Sequence, residues 1–142
     1  MPSQNLAAHM ASIEAISVIF AAVLVWLSAL VQHVSNVVLR GTPYVVGDRS
    51  MPPAMEGFFG RATRTLANNI ESALMYVPPV VVILVLHRTT GASQLSAETY
   101  IGARVVYALS YWLKIPFVRS LAWFVGMICC GAVLVLAVVP FT

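Results

Sequence analysis

Charge is what this sequence has least of. Lys, Arg, Asp and Glu make up 9% of its 142 residues, against roughly 25% in a soluble domain. So few charges cannot cover a water-facing surface of this size. The apolar residues, 60% of the chain, fall into long runs such as ISVIFAAVLVWLSALV from Ile16 to Val31, and runs of that length identify lipid as the solvent. Basic clusters are also missing. The net charge of +3 comes from eight Lys/Arg and five Asp/Glu scattered over helix ends and loops, which excludes the continuous basic face that nucleic acid requires. Cysteine is scarce too. Cys129 and Cys130 are adjacent, and helical neighbours point about 100° apart, poorly placed to bridge each other. They are expected to pack as small hydrophobes. The first ten residues hold no Lys or Arg, and the apolar run behind them is too long for a signal-peptide core, so it is expected to stay as a membrane span. No Ser-His-Asp arrangement, metal-ligand cluster or phosphate loop is present. His33 and His87 fall near opposite ends of their spans and could not share a haem, and His9 is expected to be exposed.

What is present is a pattern of four spans in a single domain, 1–142, with helices expected over about 11–39, 60–87, 97–114 and 117–139. A helix needs ~20 apolar residues to cross the hydrocarbon core, and the third segment is the least apolar. The first connection, GTPYVVGDRSMPPAMEG, has the Gly, Pro and Asp of a loop, with Asp48 and Arg49 as a solvated pair. HRTTGASQLS reads as the second connection, which places Glu98 at a helix start. Pro116 breaks the chain before the fourth helix. Arg40, Arg49, Arg61, Arg64, Lys114 and Arg119 cluster around the first and third connections, with Arg88 alone on the other side. The positive-inside rule then puts those connections in the cytoplasm and both termini, with nearby Glu14, on the non-cytoplasmic side. Ala122 and Gly126 have the small-xxx-small spacing that permits close helix packing.

The second span carries a polar stripe. Arg61, Arg64, Asn68 and Glu71 are spaced by three, four and three residues and so share one helix face. At about 1.5 Å per residue Glu71 lies ~16 Å beyond Gly60, near the middle of a core about 30 Å thick. An isolated carboxylate there costs at least ~2.5 kcal/mol and needs a protein partner. In the third span Arg104, Tyr107, Tyr111 and Lys114 repeat the spacing in the opposite direction. Antiparallel packing is expected to set Glu71 against Arg104 as a structural pair, Asn68 near Tyr107, and Arg64 near Tyr111. Arg61, Arg64 and Arg119 then leave positive charge at the cytoplasmic mouth, where their forked donors suit an anionic ligand.

At these residues the sequence resembles the MAPEG family, the membrane-associated proteins of eicosanoid and glutathione metabolism. RATRTLANNIE, Arg61 to Glu71, is similar to the family's second-helix signature. ARVVYALSY, Ala103 to Tyr111, is similar to its third-helix motif, and IPFVRSLAW resembles the turn into the fourth helix. Tyr107 stands where some members have histidine. The GDRSMPP run looks more like bacterial members, whose membrane would be the inner one. The resemblance implies a homotrimer of four-helix subunits with glutathione in a cytoplasm-facing cleft between neighbours. Arg61, Arg64, Asn68, Glu71, Tyr107 and Tyr111 would line that site, Arg104 would partner the buried glutamate, and Arg40 would reach across the subunit boundary. Arg119 would hold the reactive thiolate, with Ser120 behind it as a donor, and the partner molecule would be a lipophilic electrophile arriving through the membrane lipids. Two readings follow: a glutathione-dependent transferase, peroxidase or isomerase, or a non-catalytic membrane subunit of the same fold.

Overall fold

The computed structural model describes residues 12–48 and 56–139, so Arg49 and His9 lie outside the described residues. Those residues form five helices: α1 (Ile13–Arg40), α2 (Thr42–Val46), α3 (Gly57–Val85), α4 (Gly91–Trp112) and α5 (Pro116–Val138). Three of them, α1, α3 and α5, are long and apolar enough to cross a membrane. At 22 residues, or about 33 Å, α4 has the length, but Ser93, Arg104 and Ser110 are buried in it and dilute its apolar character. The principal packing is α4 on α5 and α1 on α3, with α3 also against α5.

Two boundaries differ from those read in the sequence. α4 begins at Gly91, ahead of position 97, because Thr90 caps it: the Thr90 hydroxyl accepts from the Ser93 N–H at 3.2 Å and the Ser93 hydroxyl accepts from the Thr90 N–H at 2.8 Å. This reciprocal capping box satisfies two donors that would otherwise be orphaned. Most of the expected second connection is therefore helix, and Glu98 sits two turns inside α4, exposed. The expected first loop contains the short α2, entered through Gly41 at φ +77, a left-handed conformation that glycine adopts without steric cost. At the far ends of α3 and α4, His87 and Lys114 also take positive φ. The next amides reach back to Ile83 and Ser110 carbonyls, each at 2.8 Å, closing both helices in the Schellman manner.

The interior is small and partly polar. Tyr76 and Tyr100 stack with ring centroids 3.6 Å apart, and Ile83, Cys129, Cys130 and Val133 pack around them. Both cysteines are free and buried, as small apolar side chains would be. Ala122 and Gly126 are buried as well, and a Cβ on Gly126 would stand 3.5 Å from Arg104 Cδ, so this glycine makes room for a guanidinium arm. The large apolar side chains left exposed, among them Trp26, Leu74, Phe117 and Val135, suit lipid, which has no reason to drive them inward. At the end where α1 and α4 begin, Glu14 is 1% exposed and its Oε1 accepts from the Ser93 hydroxyl at 2.6 Å. The carboxylate lies in the first turn of α1 and against the first turn of α4.

Candidate functional site

A basic cavity forms at the opposite end of the molecule, where α1 and α4 finish and α3 and α5 begin. It encloses about 610 Å³ and is lined by Gly57, Arg61, Arg64, Ser110, Tyr111, Lys114, Ile115, Pro116 and Arg119. Among the described residues, four cations line it and no carboxylate does. Each element contributes through its end: α3 presents Arg61 and Arg64 one turn apart, α4 presents Tyr111, its closing turn presents Lys114, and the first turn of α5 presents Arg119. Lys114 comes into the wall because the left-handed closure of α4 reverses the chain there.

Tyr111 organises the cavity. Its hydroxyl accepts from Arg64 Nε at 3.1 Å, and the Arg119 guanidinium lies 4.9 Å from its ring centre. One tyrosine thus holds two guanidinium groups that like-charge repulsion would separate, one by a hydrogen bond and one through the negative face of its ring. Tyr107 meets Tyr111 edge-on, with centroids 5.6 Å apart. Arg61 lies over the Phe58 ring at 5.6 Å, and its Nε is buried without a hydrogen-bond partner. Ser120 is exposed, lies outside the cavity wall, and donates to the carbonyl of Pro116 in its own helix at 3.0 Å. Arg40 is also away from the cavity. Its guanidinium covers the Tyr44 ring at 4.5 Å, and Nη1 is buried without a partner.

Deeper along α3 lies a second cluster, and here the structure corrects the expected pairing. Arg104 is 2% exposed and does not bond Glu71. Its Nη2 donates to Asn68 Oδ1 at 2.9 Å and to Asn69 Oδ1, while its guanidinium lies 4.4 Å from the Tyr107 ring centre. Asn69 in turn donates to the Ser28 hydroxyl of α1 at 2.7 Å. Glu71 is exposed on the single chain. The shallow rung is as expected, since Arg64 meets Tyr111, whereas the asparagines, expected level with Tyr107, meet Arg104. The rotation of α3 also differs: Thr65, Asn69, Ser72 and Tyr76 turn inward, and Glu71 is carried to a flank.

Of the residues singled out in the sequence, Arg61, Arg64, Tyr111 and Arg119 meet in the cavity. Asn68, Arg104 and Tyr107 meet above it, and Arg40, Glu71 and Ser120 stand apart. Asn69, Ser110 and Lys114 were missed as site residues. Lys114 was visible as the last rung of the α4 ladder, and Asn69 belonged to a second stripe, Thr65, Asn69, Ser72 and Tyr76, with its own helical spacing of four, three and four. Among the described residues, no group of three or more His, Cys, Asp or Glu is placed to hold a metal ion. No curated protein and no solved structure matches the chain. The MAPEG family model matches residues 7–139, nearly its whole length, and that family includes both glutathione-dependent transferases and isomerases and non-catalytic members. With three helices fit to cross a membrane, a buried Arg104 cluster and a tyrosine-bridged pair of arginines beneath it, this chain is an integral membrane protein that belongs to the MAPEG family.

Proposed function

We infer that the chain is a membrane-bound glutathione-dependent enzyme of the transferase, peroxidase or isomerase type, acting on lipophilic electrophiles. The observation that carries this reading is the cavity wall: Arg61, Arg64, Lys114 and Arg119 without a carboxylate among them. Glutathione is a tripeptide with two carboxylates, and forked guanidinium groups match carboxylates. Arg61, Arg64 and Lys114 hold the backbone of the peptide, and Tyr111 positions Arg64. Arg119 receives the thiol. A guanidinium beside a thiol favours its ionised form, which is the nucleophile. Sulfur then attacks the electrophilic carbon of a substrate delivered from the lipid, forming the carbon–sulfur bond as the leaving group or ring oxygen takes the electron pair. Holding both reactants in one cleft supplies several kcal/mol of the barrier reduction, on the order of what well-oriented intramolecular reactions gain.

In this reading α4 crosses the membrane with the other three long helices, the basic end faces the cytoplasm and both termini face away from it. Three subunits surround clefts into which Asn68, Glu71 and Tyr107 look, and the Arg40 of a neighbour closes the cleft. Ser120, tied to Pro116, becomes a donor to the sulfur only after turning from that carbonyl. That bond favours the second reading, a non-catalytic subunit, more than anything else in the site. Calorimetric titration of the purified protein with glutathione separates the two. Binding in the micromolar to millimolar range, weakened roughly tenfold or more in Arg64→Ala, is expected. Thiolate absorbance of bound glutathione should appear at lower pH in the native protein than in Arg119→Ala. No heat at millimolar glutathione would remove the enzyme reading.

A further inference from the structure

The basic cavity is bordered by apolar side chains that its cations do not explain. The turn that closes it, from Leu113 to Arg119, interleaves Lys114 and Arg119 with Leu113, Ile115, Phe117 and Val118. Leu113 is 68% exposed and Phe117 80%. Phe117 lies in the first turn of α5, a helix long and apolar enough to cross a membrane, so this turn stands where headgroups give way to hydrocarbon. A water-soluble peptide makes no use of an apolar border at that level. A ligand that is anionic at one end and hydrocarbon at the other uses both.

The polar part of the cavity favours phosphate. Arg61 Nε is buried without a hydrogen-bond partner, and the Lys114 ammonium has no partner among the described residues. α3 and α5 both begin in the wall, at Gly57 and Pro116, and neither has a side-chain cap. Their first-turn N–H groups therefore add to the positive potential of the four cations, in the manner that receives phosphate oxygens. Glutathione brings two carboxylates and an ammonium, and four cations with two helix starts exceed what that charge balances. Lys114 enters the wall at φ +65, a conformation that glycine adopts without steric cost and lysine does not. The closing turn of α4 thus holds a cation where a glycine would serve the backbone better.

We propose that the cavity seats the headgroup of an anionic phospholipid, with its phosphodiester on Lys114 and Arg119, Arg61 behind them, and its acyl chains leaving over Leu113 and Phe117 into the bilayer. Basic pockets between membrane helices at the headgroup level hold anionic lipids by this chemistry. The charge of the wall selects the phosphate, and the exposed apolar side chains of the turn select a ligand that carries hydrocarbon. The inference does not rest on the glutathione reading, since the lipid occupies the cavity whether or not the peptide does. Where both bind, they compete for Lys114 and Arg119.

The test is lipid competition on the purified full chain in detergent, without glutathione, read by native mass spectrometry. Phosphatidylglycerol and phosphatidylcholine with the same acyl chains are supplied in equal amounts, and preferential retention of phosphatidylglycerol is expected. A Lys or Arg near a membrane surface changes such binding roughly fivefold, so Lys114→Gly and Arg119→Gln should each lower the preference by about that factor. Lys114→Gly also guards against misfolding, because glycine suits the φ of +65 at which α4 closes. Arg88→Gln, at the opposite end where α3 closes, should leave the preference unchanged. Equal retention of the two lipids by the native chain would overturn the proposal, as would a loss in Arg88→Gln matching that in Lys114→Gly, which would mark bulk charge rather than a site. Glycerol 3-phosphate separates lipid from free phosphate ester: if it displaces phosphatidylglycerol at equal concentration, the acyl chains add nothing and the lipid assignment fails.

Discussion

Replacing Asn69 by leucine asks what holds the buried Arg104. The substitution keeps side-chain volume close to native while removing two hydrogen bonds: the Arg104 Nη2 bond to Asn69 Oδ1 and the 2.7 Å bond from Asn69 Nδ2 to Ser28. A hydrogen bond to a charged group is worth about 1.5–3 kcal/mol and a neutral one about 0.5–1.5. Between membrane helices the values average nearer 0.6 kcal/mol. The loss therefore falls between about 1 and 4 kcal/mol, with Asn68 still holding one donor of the guanidinium. At a few degrees per kcal/mol, the apparent Tm in detergent should drop by roughly 3–10 °C. Glu71→Gln is the companion. Had Glu71 neutralised Arg104, its removal would strand a buried charge and cost ~3–5 kcal/mol. With no contact between the two, Glu71→Gln should shift Tm by less than Asn69→Leu does. The assay is thermal unfolding followed by fluorescence in one detergent for both variants. A larger loss for Glu71→Gln, or an unchanged Tm for Asn69→Leu, would refute the reasoning.

Tyr111→Phe removes the acceptor for Arg64 and keeps the ring beneath Arg119, so glutathione affinity should fall several-fold with thiolate formation retained, whereas Tyr111→Ala should lose both; titration with absorbance detection distinguishes them. Ser93→Ala removes the 2.6 Å bond to Glu14 and one half of the Thr90 capping box, for a cost of about 1–3 kcal/mol seen as a lower Tm, with ligand affinity unchanged because the basic cavity is at the other end. Gly126→Val should disturb Arg104, whose Cδ would stand 3.5 Å from the new Cβ; its two γ-methyl groups must then displace the guanidinium arm, and a Tm unchanged within one degree would contradict that packing.

Much of this protein is written in the sequence because depth and solvent follow from counting. Scarce charge and long apolar runs specify lipid, and a rise of about 1.5 Å per residue puts Arg64 level with Tyr111, as the structure has it. The capping box at Thr90 and Ser93 was legible too, but a short polar stretch with glycine resembles a loop until its reciprocal hydrogen bonds are seen. Rotation is another matter. α3 carries two polar stripes about 100° apart, the charged one through Arg64, Asn68 and Glu71 and the quieter one through Thr65, Asn69, Ser72 and Tyr76, and spacing alone ranks neither. Tertiary packing chose the second for the interior. In lipid, helices associate through close contact and hydrogen bonds rather than apolar burial, and the smaller neutral side chains let α1, α4 and α5 approach. Only then does Arg104 find its asparagines, and only then is Glu71 left facing outward.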